Sequence, residues 1–142
     1  LGGDLDLNSN SINYGTIISG TGTYVGDILT VTVDDGSTAF GDVLYQAGDF
    51  NYDRADADNS TTSPAFVLAL ESGAGSKTVL IKGQVCDESW SWTAGVIYLD
   101  TTVGTITQTA PTGSADQVQI VGYALSSTTM WFNPNYGMVE AA

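Results

Sequence analysis

The stretch from Trp92 to Ala124 constrains the fold most, because short apolar runs alternate there with glycine and proline breaks. The runs at 96–99, 105–109 and 117–125 are rich in β-branched and aromatic residues, which favour extended strands. Gly104 separates the first two runs and Pro111 ends the second. The stretch therefore predicts three strands joined by short connections.

Further candidate strands lie upstream of this stretch, where apolar and polar residues alternate. They cover residues 29–33, 43–47 and 77–85. Successive side chains of a strand point to opposite faces, so this alternation predicts strands with one buried face and one polar face.

A continuous apolar run at 65–70 follows a polar loop predicted over 48–63. The run is short for a helix and predicts a strand buried on both faces. No amphipathic helix of useful length is apparent in the sequence. We therefore expect an all-β fold, an antiparallel β-sandwich or barrel spanning residues 23–142.

The charge of the chain excludes two classes of partner. The sequence has sixteen acidic residues and only three basic ones, Arg54, Lys77 and Lys82, and its formal net charge is −13. Proteins bind nucleic acid and anionic membranes largely through lysine and arginine. We expect this chain to bind neither nucleic acid nor membranes.

The sequence offers little material for catalysis. It contains no histidine, which rules out a Ser-His-Asp triad and leaves the single cysteine, Cys86, without the usual base. We expect Cys86 to be a small buried side chain and the protein to be neither an enzyme nor a cofactor-binding protein.

Two clusters of acidic residues raise alternatives. Asp53, Asp56 and Asp58 gather oxygen ligands within one loop, but the spacing lacks the glycine and distal glutamate of an EF-hand. We expect a solvated polar loop there and no metal site. Asp87 and Glu88 precede two tryptophans, yet sequence neighbours rarely achieve the carboxylate geometry of a glycosidase, so we expect a polar turn.

Residues 1–22 form a segment of different character. Leu5 and Leu7 share one face of an extended chain and Asp4 and Asp6 share the other. This segment has too little apolar surface to offset its own ordering entropy. We expect an N-terminal arm that orders against a neighbouring subunit or another protein through Leu5, Leu7 and Ile12; the alternative is a plain first strand of the domain.

Aromatic residues are numerous for a small domain and have three possible roles: core filling, subunit contact or a sugar-stacking platform. Aromatic side chains concentrate in interface hot spots. The strand at 117–125 also ends with apolar residues on both faces, which favours packing between layers or subunits. The expected partner contacts outside the arm are Trp90, Trp92, Val121, Tyr123, Trp131 and Phe132.

An ordered set of landmarks between Val43 and Phe132 resembles a domain of tailed-bacteriophage structural proteins, namely head fibres, capsid decoration proteins and tail-fibre segments. The opening L-G-G-D-L-D-L-N-S-N-S-I also resembles a phrase that introduces such domains. The landmarks are A-D-A-D at 55–58, G-x-V at 83–85, W-x-x-G-x-x-Y-L at 92–99, G-x-I-T at 104–107, Pro111 and V-Q-x-V-G-x-A at 118–124.

The resemblance implies a virion structural role and a homotrimer, with no catalytic residues to carry over. We therefore expect a capsid decoration (cement) or head-fibre protein on the capsid exterior, whose N-terminal arm contacts the major capsid protein. The alternative is a tail-fibre segment or a receptor- or carbohydrate-binding module of a phage.

Overall fold

A computed structural model of the chain describes residues 14–142, which contain eleven strands and no helix. The expected all-β fold is confirmed. The strands are β1 (Tyr24–Val33), β2 (Val43–Gln46), β3 (Tyr52–Arg54), β4 (Val67–Ala69), β5 (Gly75–Cys86), β6 (Val96–Leu99), β7 (Ile106–Thr107), β8 (Gln117–Val118), β9 (Ile120–Ala124), β10 (Thr129–Phe132) and β11 (Val139–Glu140).

Five strands form a closed circuit in the order β1-β3-β2-β4-β5, with β5 pairing back to β1. Four of the five pairings are antiparallel. An odd number of strands forces the fifth to be parallel, and it joins Val33 to Tyr52. Each strand of the circuit contributes at least one side chain to a single apolar cluster, so this cluster fills the interior of the circuit. Its members are Val33, Leu44, Val67, Ala69 and Val79, with Tyr52 packed against them.

A second sheet extends from β5 through β10, β9, β6 and β7. The larger core lies between this sheet and the circuit. Val43, Leu68 and Leu80 pair across three strands and face this core, whereas Leu44, Val67 and Val79 face the circuit interior. The prediction of a strand buried on both faces within 65–70 is thus confirmed by β4.

The predicted strand at 117–125 is interrupted and bulged. Its first residues form β8, which pairs with β11 and not with the large sheet. In β9, Ile97 pairs with Gly122 while Tyr98 pairs with Ile120, so Val121 is an extra residue. A bulge of this kind reverses the alternation of faces. Simple alternation along 117–125 puts Ile120 and Tyr123 on opposite faces, and this expectation is wrong, because both are exposed and Val121 is buried.

Candidate functional site

The outer face of the second sheet carries a continuous apolar surface, which we call the outer apolar face. It consists of Val96, Tyr98, Ile120, Tyr123 and Trp131. Tyr123 pairs with both Val96 and Trp131 on neighbouring strands. Paired residues point to the same side of a sheet, so their side chains form one surface.

The exposure of this face distinguishes it from the core strands around it. Val96 and Ile120 are each 40% exposed and Tyr123 is 49% exposed. The sequences of β6, β9 and β10 contain no charged residue. In a chain of net charge −13, this face is therefore a neutral apolar surface.

Gly122 explains how β9 can present this face. A Cβ atom at Gly122 would lie 2.1 Å from the carbonyl oxygen of Trp131 and 2.9 Å from Cε of Met130. Only glycine permits so close an approach of β9 to β10 at the bulge. The bulge buries Val121 and directs Ile120 and Tyr123 outward.

The described part of the predicted arm, residues 14–22, packs on its own chain. It lies on the side of the second sheet that carries the outer apolar face. The Gln84 side chain accepts a hydrogen bond from the Ile18 amide (3.2 Å) and donates to the carbonyls of Tyr14 (3.2 Å) and Thr16 (3.1 Å). The Thr129 hydroxyl donates to the Ile18 carbonyl at 2.8 Å. Polar side chains of the sheet thus hold this segment in place.

Tyr14 connects this segment to the outer apolar face. Its ring packs edge-on against Trp131, with centroids 5.3 Å apart and planes at 79°. The predicted arm contacts, Leu5, Leu7 and Ile12, lie outside the described residues. The arm's contact with a partner stays a prediction.

The expected partner contacts within the β domain fall into three groups. Val121 and Phe132 are fully buried in the core of their own chain, so the prediction that they contact a partner is wrong. Tyr123 and Trp131 lie on the outer apolar face. The remaining two, Trp90 and Trp92, are half-buried.

Trp90 and Trp92 lie in the connection between β5 and β6, outside any strand. Their ring centroids are 5.4 Å apart with planes at 45°, and both rings pack against the larger core. A flat platform of two parallel indoles is therefore absent at this pair, and core filling is the role that their packing shows. Their contact with a partner stays a prediction.

Exposed apolar side chains on β1 were not predicted from the sequence. Tyr24 and Ile28 lie on one face of this strand, and Val25 and Leu29 lie on the other. Alternation had placed Leu29 on a half-buried face, yet it is 45% exposed. The register of β1 with β5 shifts between Asp27 and Ile28, where Ile81 of β5 has no partner on β1, and alternation alone gives no sign of this bulge.

The aspartates of the 48–63 loop do not converge. Asp56 accepts a hydrogen bond from the Thr62 hydroxyl at 3.0 Å. Partial burial, followed by the charges of Asp34 and Asp35, raises the pKa of Asp53. Within residues 14–142, no group of three or more His, Cys, Asp or Glu residues is placed to hold a metal ion.

Arg54 has a structural role beside this loop. Its Nε donates to Asp35 at 2.6 Å, and this hydrogen bond lowers the pKa of the Asp35 carboxyl. Burial raises the pKa of Asp42, whose carboxylate accepts from the Ala39 amide at 2.9 Å. These groups fix the connection between β1 and β2.

The other candidates for chemistry also have local structural roles. The Asp87 carboxylate accepts from the Ser89 amide at 2.9 Å, while the Glu88 amide donates to the Thr21 hydroxyl at 3.0 Å. Cys86 is fully buried, as predicted, with its sulfur 3.9 Å from the Thr128 hydroxyl. A depression lined by Trp92, Ala94 and Leu125, among others, has no titratable side chain in its wall.

The comparisons with known proteins add no relative. No protein-family model matches the chain, and neither curated proteins nor solved structures show a significant match. In the part of the chain from Tyr14 onward, no helix is long and apolar enough to cross a membrane.

Proposed function

We propose that this chain is a non-enzymatic structural domain of a virus particle, a capsid decoration or head-fibre protein that forms a homotrimer on the capsid exterior. The observation that carries the proposal is the outer apolar face, an uncharged surface on a strongly acidic domain. The resemblance to phage structural proteins described above supports the viral setting.

Burial of this face favours association. Removing apolar surface from water contributes about 25 cal/mol per Å², and a stable interface needs roughly 1,000 Å² or more in total. Association itself costs several kcal/mol or more in lost translational and rotational freedom. The few exposed side chains of the outer apolar face offset this cost only if a second surface is also buried in the assembly. Symmetric assembly meets this need because each copy then contributes two surfaces.

The distribution of charge supports assembly by the same surface. Sixteen acidic residues make the rest of the chain repel other copies. The outer apolar face has no charge on its strands, so two molecules approach there with the least repulsion. The acidic surface that remains exposed after assembly would also reduce aggregation of the assembled particles.

Sedimentation velocity of the full chain tests the proposal. We expect a trimer that dissociates in the double variant Ile120→Thr/Tyr123→Ser, since both substitutions make the outer apolar face polar without touching the core. Phe50→Ser is the matched control, because Phe50 is 79% exposed and lies in the turn between β2 and β3. A monomer at every concentration in the unchanged chain would refute the proposal.

The viral setting needs a separate test. Purified capsid shells incubated with the chain should bind it at a fixed number of copies per shell. A chain that begins at Tyr14 removes Leu5, Leu7 and Ile12, and we expect it to bind shells more weakly while still forming trimers. Equal binding by both chains would refute the anchoring role of the arm.

Carbohydrate binding is the second candidate function. Tyr14 packs against Trp131, and Tyr123 pairs with Trp131 on the neighbouring strand, so three aromatic rings share one exposed side of the sheet. Aromatic rings with a polar tip suit surfaces that are apolar at one end and wet at the other. A glycan array with no binding would remove this candidate.

A further inference from the structure

The hairpin of β2 and β3 carries an aromatic side chain that the described part of the chain leaves exposed. Phe50 is 79% exposed, more than any other large apolar side chain among residues 14–142. It belongs to neither apolar core and has no ring contact within these residues. Its ring therefore contributes little to the stability of the fold.

The backbone at Phe50 has a conformation that does not suit an aromatic residue. The Ala47 amide donates to the Asn51 carbonyl at 2.8 Å, and the Phe50 amide donates to the Ala47 carbonyl at 3.1 Å. A hairpin loop of this length is a turn followed by one residue in the left-handed region, and that position normally holds glycine. Phe50 occupies it with a φ of 70°. Glycine or asparagine would hold the same turn with less strain, so the turn itself gives no reason for an aromatic residue there.

Carboxylates surround this turn. The Asn51 side chain donates to both carboxylate oxygens of Asp34 at 3.1 Å and to Asp49 at 3.4 Å, so both aspartates lie beside the residue that follows Phe50. Partial burial, followed by the charges of neighbouring aspartates, raises the pKa of Asp53. The exposed ring therefore has negatively charged surroundings.

The basic residue of this hairpin does not neutralise these carboxylates. Arg54 donates to Asp35 at 2.6 Å and is already paired there. With Asp34, Asp49 and Asp53, the group holds four aspartates and one arginine, which leaves a net charge of −3. A partner for this turn must therefore supply positive charge as well as apolar surface.

We propose that Phe50 anchors the protein to a partner surface that has an apolar pocket with lysine or arginine at its rim. The proposal rests on the capsid function proposed above and assigns this contact to the shell. Aromatic anchors in apolar pockets are typical centres of protein interfaces, and complementary charge around them gives specificity. Residues held in strained backbone conformations also cluster at functional sites.

The shell contact and the trimer contact use different parts of the molecule. Phe50 lies in the turn between β2 and β3, whereas the outer apolar face lies on β6, β9 and β10. The two contacts therefore do not compete for the same residues, and we expect Phe50 variants to form trimers.

Phe50→Asn tests whether the ring has a structural role. Asparagine tolerates the left-handed conformation, so we expect the urea concentration at the midpoint of unfolding to stay the same or increase. A lower midpoint would show that Phe50 stabilises the fold and would overturn the proposal.

Co-sedimentation of the full chain with purified capsid shells tests the contact itself. We expect Phe50→Asn to weaken binding to the shells about tenfold or more, the effect of removing an interface anchor. The matched control is Val139→Thr, because Val139 is 71% exposed on β11, and this variant should bind like the unchanged chain.

Asp49→Asn tests the basic rim of the pocket. The Asp49 carboxylate accepts from the Asn51 amide at 3.1 Å, and an asparagine oxygen can replace it there. We expect binding to the shells to weaken about two- to fivefold, the range of an exposed ion pair. Asp58→Asn, an equal change of charge in an exposed loop, should leave binding unchanged. Equal effects of the two variants would contradict the basic rim.

The other outcomes separate this proposal from the one on which it rests. Shells that bind Phe50→Asn and the unchanged chain equally would remove the anchoring role of Phe50 and leave the capsid function standing. Shells that bind neither would remove both. Loss of the trimer in Phe50→Asn would show that the ring contacts another copy and would overturn the shell contact.

Discussion

Gln119 pairs with the backbone of Ala65 in both directions. Its Oε1 accepts from the Ala65 amide at 2.8 Å, and its Nε2 donates to the Ala65 carbonyl at 2.8 Å. The same Nε2 donates to the carbonyl of Asn135 at 2.9 Å. A fully buried side-chain amide thus replaces a neighbouring strand just before β4, where the backbone would otherwise be unpaired.

Replacing this amide should destabilise the fold strongly. Gln119→Leu leaves an amide and two carbonyls without their partner, and each buried unpaired group costs about 1–3 kcal/mol. We expect a loss of about 3 kcal/mol or more in the free energy of unfolding, measured by urea denaturation. The control is Gln46→Leu at an exposed position of β2, which should change stability by less than about 0.5 kcal/mol.

Gln84 is expected to hold the segment before β1 in a similar way. Gln84→Leu removes the acceptor of the Ile18 amide and the donor to two carbonyls. We expect the Ile18 amide to exchange with deuterium about tenfold faster or more, since the loss of one such hydrogen bond costs about 1.4 kcal/mol. Unchanged exchange at Ile18 would show that other contacts suffice.

The bulge in β9 should depend on Gly122. Gly122→Ala places a methyl group 2.1 Å from the Trp131 carbonyl oxygen, which forces the strands apart. We expect a loss of about 3 kcal/mol in stability by thermal or urea denaturation. Gly48→Ala is the control, because a Cβ there meets no atom within 4 Å. Equal stability of the two variants would contradict the close approach at the bulge.

Stability should pass through a maximum near pH 4. Burial raises the pKa of Asp42 above its ordinary value, so the folded chain binds that proton more tightly, and stability is gained as the pH falls through the raised pKa. The hydrogen bond from Arg54 lowers the pKa of Asp35, so its contribution is lost only as the pH falls below about 4, through the lowered pKa.

The urea concentration at the midpoint of unfolding, measured from pH 3 to pH 7, tests whether stability rises as the pH falls towards 4. Asp42→Asn keeps an acceptor for the Ala39 amide but has no carboxylate to protonate. We therefore expect the urea midpoint of this variant to increase less than that of the unchanged chain as the pH falls from 7 to 4. A midpoint that increases steadily up to pH 7 in the unchanged chain would contradict the raised pKa of Asp42.

The sequence predicted strands well where apolar residues are punctuated by glycine or proline. The runs at 43–47 and 96–99 correspond to β2 and β6 almost residue for residue. By contrast, β3 lies inside the expected polar loop, because its three residues are extended through pairing with β2 and β1 and not through their own pattern. Such strands follow from tertiary pairing, which local pattern does not contain.

The candidate site was predicted only in part for the same reason. Tyr123 and Trp131 were expected at a contact surface and lie on the outer apolar face. Val96, Tyr98 and Ile120 were not predicted there. Ile120 lies on this face because the bulge at Val121 reverses the faces of β9, and simple alternation does not indicate a bulge. Gly122 is the one sequence signal that could have indicated the bulge, since an isolated glycine in a strand often marks one.

Sedimentation equilibrium of the full chain at neutral pH, over a hundredfold range of concentration, tests assembly through the apolar surfaces. A mass of three times the chain's 14.8 kDa is predicted, falling to that of a single chain in Ile120→Thr/Tyr123→Ser. A mass of one chain throughout, or a trimer that survives this double variant, would contradict the role given to the outer apolar face.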